Sequence, residues 1–268
     1  MSLSKETLNE LHKNYNPDNS PLRIYQLRLV EILKYFDSVC KANNIRYWLN
    51  GGSCIGAIRH KGFIPWDDDI DVAMLREDYD RLVSVFSETD DYVLQTYKND
   101  SHYVCTYAKV RDKKTWILES VHTSKYRYCG AFIDVFIIEK GIPWMGKATS
   151  YLTYLLDGVD QKNPSNVVRD SIFHICKPLF FGVISILQSI SKKMRSSRLM
   201  ISYGSPFWSQ EYYIEDISEV EYREFEGLLF PVPQGWDHFL TMIYGDYMSL
   251  PDLNKVKGEL HVKEIRYL

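Results

Sequence analysis

Apolar positions recur at helical spacing near the start of the chain: Leu22, Tyr25, Leu29, Ile32, Leu33, Phe36, Val39 and Cys40. This pattern predicts a helix over 22–42 with one buried face, ended by Asn43-Asn44. Residues 1–21 read as a loose lead-in, with N-P-D-N-S-P at 16–21 as a turn or loop. A short strand is expected over 45–49, running into N-G-G-S at 50–53, where Ser53 is placed to cap a short helix through Arg59. Gly62 and Pro65 interrupt the chain before a second strand over 70–74, and a helix is predicted over 78–86. Strands over 92–97, 103–110 and 131–138 follow from β-branched and aromatic content. Beyond Pro143 the character changes. Residues 146–200 read as helical, broken at Pro164 and Pro178. Residues 212–225 are acidic and aromatic, and P-V-P-Q-G at 231–235 introduces an amphipathic helix over 236–244. The expected organisation is a lead-in (1–21), an α/β core (22–143) and a mainly helical C-terminal region (144–268) completing the same domain.

One polar segment breaks the pattern. P-W-D-D-D-I-D-V at 65–72 sets Asp67, Asp68, Asp69 and Asp71 within five residues. Side chains alternate along a strand, so Asp69 and Asp71 would share one face and Ile70 and Val72 the buried one. Like charges held that close need a cation. Two carboxylates side by side suit one or two Mg²⁺ (or Mn²⁺) ions that also bind phosphate oxygens. Asp134, the lone charge in the apolar run G-A-F-I-D-V-F-I-I at 130–138, is the candidate third ligand. The alternatives are a polar turn with Asp caps, or a calcium loop, whose D-x-[DN]-x-[DN]-G pattern is absent.

Phosphate-binding candidates flank the acids. Gly51 and Gly52 allow close backbone approach or positive φ, and Ser53 offers a hydroxyl and N–H groups at a helix start. Arg59, His60 and Lys61 would neutralise a diphosphate, or merely form a solvated helix end. Trp66 would stack on a base or sit in the core. Lys109 and Arg111 follow a strand and would reach phosphates, with pairing of Arg111 to Asp112 or Glu119 as the alternative. A net charge of −3 gives no footprint for nucleic acid. Five widely spaced cysteines without C-x-x-C argue against a disulfide framework or structural zinc and favour a reducing cytoplasm. No signal peptide is evident at the N-terminus.

These residues resemble the LicD family of phosphocholine and fukutin-related phosphoalditol transferases. The resemblance rests on N-G-G-S-C-I-G-A-I-R-H-K-G-F-I-P-W-D-D-D-I-D-V-A-M at 50–74, with A-K-V-R-D at 108–112, F-I-D-V-F at 132–136, F-E-G at 225–227, P-V-P at 231–233 and Y-G-D-Y-M-S-L-P at 244–251. It implies a nucleotidyltransferase-like mixed sheet flanked by helices. It also implies transfer of a phospho-group from a CDP-linked donor to a sugar hydroxyl of a cell-surface glycan, such as lipopolysaccharide or teichoic acid, with release of CMP. Asp69, Asp71 and Asp134 would be catalytic metal ligands, Asp134 also a candidate base. Tyr244, Asp246, Tyr247 and His261 would line the substrate cleft, although packing is the alternative for the tail apart from Asp246. Many members end in an Arg and a His-His pair; this chain has Lys255, Lys257 and the single His261.

Two other readings of function are open: transfer of a whole nucleotide to another acceptor, and a non-catalytic glycan- or nucleotide-binding homologue. Residues 172–198 join an apolar helix to K-K-M-R-S-S-R. The preferred reading is a buried helix with a solvated basic end. The alternative is peripheral contact with the inner face of a membrane, where a lipid-linked glycan would be the acceptor.

Overall fold

The computed structural model describes residues 3–119, 125–161, 167–195, 198–256 and 262–268. The lead-in is not loose: helix α1 spans Lys5–Tyr15, with the Ser4 hydroxyl accepting from the Thr7 N–H and Leu11 buried. Its apolar positions are too few to announce it. Helix α2, Pro21–Ala42, starts where Ser20 caps the Arg23 N–H and Pro21 supplies a preset φ. Its buried face, including Leu29, Ile32, Leu33 and Phe36, is the one that the spacing predicts.

The chain then lays down β1 (Trp48–Leu49), α3 (Gly51–Ile55), a π-helical turn (Gly56–His60), β2 (Asp71–Leu75), α4 (Arg76–Val85) and β3 (Tyr92–Gln95). Next come β4 (Ala108–Asp112), β5 (Thr115–Glu119) and β6 (Phe132–Glu139). The sheet order is β1-β2-β6-β4-β3. Strands β2 and β6 are parallel, in the register Asp71↔Asp134, while β4 runs antiparallel to β6 with Lys109↔Asp134. Three charged residues therefore lie in one row across the middle of the sheet. Ile70, Val72, Val110, Ile133 and Val135 are fully buried around that row, with α2 and α4 packed on the sheet. Each such side chain contributes about 1.5–3 kcal/mol of burial.

The C-terminal part begins with α5 (Pro143–Gln161) and α6 (Val167–Ser191). Pro178 sits inside α6 without ending it, although a break is expected there. Phe173, Phe180, Phe181 and Ile184 hold both sides of the proline in one buried cluster, which offsets a penalty of about 3 kcal/mol. Pro164 lies outside the described residues. Strands β7 (Arg198–Ile201) and β8 (Glu211–Tyr213) extend the main sheet beyond β6. The acidic, aromatic stretch then forms α7 (Ile214–Ile217) and β9 (Val220–Phe225), the latter paired with β10 (Leu228–Pro233), before α8 (Trp236–Tyr244) and β11 (Val262–Tyr267). Strand β11 pairs with β5. None of the five cysteines forms a disulfide among the described residues.

Asp112 ends β4 with its side chain fully enclosed. Arg28 donates two 2.8 Å hydrogen bonds to it, and Thr115 Oγ1 and the Lys114 N–H add two more. Burial alone would raise its pKa, but these bonds outweigh it and hold the carboxyl below its ordinary value. The stabilisation is therefore fully present above about pH 4, the unfolded value, and lost as pH falls through the lower folded value. Asp112→Ala is expected to cost about 3–5 kcal/mol in urea unfolding at pH 7, with a smaller difference in strong acid.

Candidate active site

Asp71 opens β2, and burial alternates through the segment before it. Asp67, Asp69 and Asp71 are half-buried on one face, while Asp68, Ile70 and Val72 are buried on the other. The expected alternation thus starts four residues before the strand itself. Because the segment lacks ladder bonds, other groups fix it. Gln26 Nε2 of α2 donates to the Asp67 carbonyl at 2.8 Å, and the Val262 N–H donates to Asp68 Oδ2 at 3.0 Å. The Asn50 N–H donates to the Asp71 carbonyl and the Asp134 N–H to that of Ile70, both at 2.9 Å.

Asp134 faces Asp71 from the neighbouring strand, with Lys109 Nζ 2.7 Å from Asp134 Oδ1. That contact is a close ion pair rather than an aligned hydrogen bond. Lys109 also lies over the Phe132 ring, 3.4 Å from its centroid, which keeps the ammonium at the sheet surface. The Asp71 carboxyl is pushed well above its ordinary range by burial and by repulsion from Asp69, Asp134 and Asp67, only partly offset by Lys109. Burial likewise raises Asp134, against the pull of Lys109. An oxygen-only donor set of carboxylates crowded on one face fits a hard divalent cation.

The glycine turn closes over these acids. Gly51 has φ +52°, and a Cβ there would lie 3.1 Å from Tyr244 Oη and 3.4 Å from Asp71 Oδ2. At Gly52 a Cβ would come within 2.9 Å of Asp67 Oδ2. Ser53 is buried, and its Oγ accepts the Asp71 N–H at 2.9 Å, so it positions the acid from behind. The Tyr244 hydroxyl points at the same cluster: burial first, then Asp71, Asp69 and Asp67, push its pKa up.

The basic triplet divides. Arg59 is buried and has no carboxylate partner among the described residues; its Nη1 donates to the carbonyls of Tyr247 and Ser249, its Nε to His60 Nε2. His60 is therefore neutral, its pKa pushed down to about 3 by burial and by Arg59, with a buried Nδ1–H that finds no acceptor among the described residues. Lys61 instead caps the π turn at φ +60°, its ammonium 3.6 Å from Glu224 on the surface. Trp66 stands edge-on to Tyr15 and His60. Arg111 does not join the acids. It is fully buried, bonding Gln95, Glu119 and the Gly130 carbonyl. Asp246 turns back on Ser249, and Tyr247 bonds Asp237. His261 lies outside the described residues.

Two other features lack this chemistry. A cavity of about 800 Å³ lies between α4 and α6, lined by Arg76, Tyr97, Glu139 and Gln188 among others, and contains none of these acids. His102, Asp170 and His174 converge closely enough to share an ion, but Lys125 already stands 3.6 Å from Asp170. Sequence reasoning counted Asp67 in the acidic run but not among the site's ligands, and it missed Asn50 and Gln26 as parts of the acidic site. Asp67 was legible, since it continues the alternation of Asp69 and Asp71. Gln26 was not, because only the packing of α2 brings it there.

The nucleotidyltransferase domain model of the LicD/FKTN/FKRP family matches residues 44–157, which contain Asp69, Asp71, Lys109 and Asp134. The lipopolysaccharide cholinephosphotransferase LicD of Haemophilus influenzae is 34% identical over 264 residues, covering 91% of this chain and 97% of that protein. The human ribitol 5-phosphate transferase FKRP is 48% identical over 50 residues, 19% of this chain and 10% of that one. The mouse ribitol-5-phosphate transferase FKTN is 29% identical over 68 residues, covering 25% and 15%.

Repulsion at Asp71 has a thermodynamic signature. A carboxyl whose folded pKa is raised binds its proton more tightly when folded, so metal-free stability falls as pH rises from about 4 through the raised value. Asp71→Asn removes that loss. In EDTA at neutral pH the variant should melt above the wild type by calorimetry. Ser53→Ala should melt lower, by about 1–3 kcal/mol, because the Asp71 N–H loses its acceptor.

Proposed function

The chain belongs to the LicD family, and from that premise we propose that it is a metal-dependent transferase. It moves a phospho-group, phosphocholine or a phosphoalditol, from a CDP-linked donor to a sugar hydroxyl of a cell-surface glycan. The observation that carries the reading is the row of Asp71, Asp134 and Lys109 across β2, β6 and β4, with Asp69 on the same face. The whole-length similarity to a lipopolysaccharide cholinephosphotransferase supports the phosphotransferase class and the glycan acceptor.

Asp69, Asp71 and Asp134 would hold Mg²⁺ or Mn²⁺, which supplies charge neutralisation at the transferring phosphoryl group. Lys109 favours the ionised form of Asp134, against the burial that raises its pKa, and adds a positive charge beside the diphosphate. Arg59, whose guanidinium meets only carbonyls and His60 among the described residues, is the second cation for that diphosphate and ties the 247–249 segment to the site. The acceptor oxygen forms the new P–O bond, the bond to the CMP oxygen breaks, and an Asp134 carboxylate oxygen takes the hydroxyl proton. The Tyr244 hydroxyl, held over Gly51, orients substrate at the mouth.

Purified protein is incubated with CDP-choline, CDP-ribitol or CDP-glycerol, a glycan acceptor and Mg²⁺, and the products are resolved. CMP release matched by acceptor labelling is expected. Asp71→Asn and Asp134→Asn should lower kcat by at least ~100-fold, and Arg59→Ala should mainly raise the donor KM. Pyrophosphate release from CTP would instead mean transfer of a whole nucleotide, and no turnover with any donor would favour a binding protein.

A further inference from the structure

Helix α6 is not the buried helix that its composition suggests. It is long and apolar enough to cross a membrane, yet only 28% of its most apolar stretch is buried. The exposed positions include Ile172, Ile175, Leu179, Val183, Ile186 and Ile190, spaced by three or four residues. They form one continuous stripe along about 27 Å of helix. The opposite side carries Phe173, Phe180 and Ile184 into the protein core, together with Lys177, whose Nζ donates to the carbonyls of Asp100 and Ser101. Lys177 therefore points away from the outer stripe. The core contacts also fix α6 against the body, so it does not span.

The partner helix widens the surface. On α5, Trp144, Tyr151 and Tyr154 are 67%, 61% and 73% exposed. Exposed apolar area of this size marks an interaction site. At the end of the stripe stand Lys192, Lys193 and Arg195, all exposed and without an acidic partner among the described residues. Aliphatic side chains along a helix, aromatics beside it and cations at its end match the layers of a bilayer surface: acyl chains, interface and anionic headgroups.

We propose that the outer face of α5 and α6 lies flat on an anionic membrane surface. This inference is independent of the transferase reading. The test is co-sedimentation of the full chain with vesicles of phosphatidylcholine alone and of phosphatidylcholine with phosphatidylglycerol. Binding should be about tenfold or more tighter to the anionic vesicles and weaken with salt. Leu179→Asp with Ile186→Asp should abolish binding to both vesicles. Lys192→Glu, Lys193→Glu and Arg195→Glu together should erase the anionic preference. These positions are exposed, so unfolding midpoints should match the wild type, which excludes misfolding as the cause. Absence of vesicle binding by the wild type overturns the proposal, as does unchanged binding by the Leu179/Ile186 variant. A dimer in analytical ultracentrifugation that this variant dissolves, with no vesicle binding, assigns the face to a second copy and also overturns it.

Discussion

Repulsion among carboxylates on one face of a sheet is the constraint around which this molecule is built. Parallel pairing of β2 with β6 sets Asp71 opposite Asp134, and the alternation of the preceding segment adds Asp69 and Asp67 to the same face. Water alone would screen such a group on an open surface. Here burial makes it costly, as the raised Asp71 pKa reflects. A fold tolerates that cost when surrounding structure over-determines the geometry.

The surrounding structure does so from every side. Ser53 and Asn50 hold the backbone of Asp71, Gln26 holds that of Asp67, and Asp68 is turned inward onto β11. Arg59 secures the segment that follows Tyr244, and Tyr244 covers the Gly51 turn. Glu226 performs a similar task further out, accepting from Arg23 and from the Phe63 N–H. The π turn between these groups places Arg59 and His60 inward and Lys61 outward, the kind of local irregularity found at functional sites.

Much of this was legible in the chain. The helical period of α2 and the period-two alternation at 69–72 are strong signals, and a single Asp in an apolar strand identifies Asp134 before any pairing is known. The family resemblance, resting on residues 50–74, agrees with them. Other parts depend on tertiary contacts that no local pattern encodes. Arg111 looked like a phosphate ligand, but although it shares the Lys109 face of β4, over the same Phe132 ring, it lies two residues further along, where Gln95, Glu119 and the Gly130 carbonyl bind it. Lys61 follows His60 in sequence and leaves it in space because the turn ends in a left-handed residue. Pro178 is carried through α6 by packing on both sides. Strand β5 exists as a ribbon only because β11, more than a hundred residues later, pairs with it. The exposure of α6 was equally hidden, since composition cannot distinguish a core helix from a surface one.

The central claim is that the acidic row is completed by a divalent cation together with a phosphate-bearing ligand. Isothermal titration of Mn²⁺ into the full chain, with CDP-choline, CDP-ribitol or CDP-glycerol present, tests it most directly. The account predicts saturable binding that one of these ligands strengthens and that Asp71→Asn and Asp134→Asn each abolish. Equal binding by the wild type and both folded variants, or none by any of them, would contradict it.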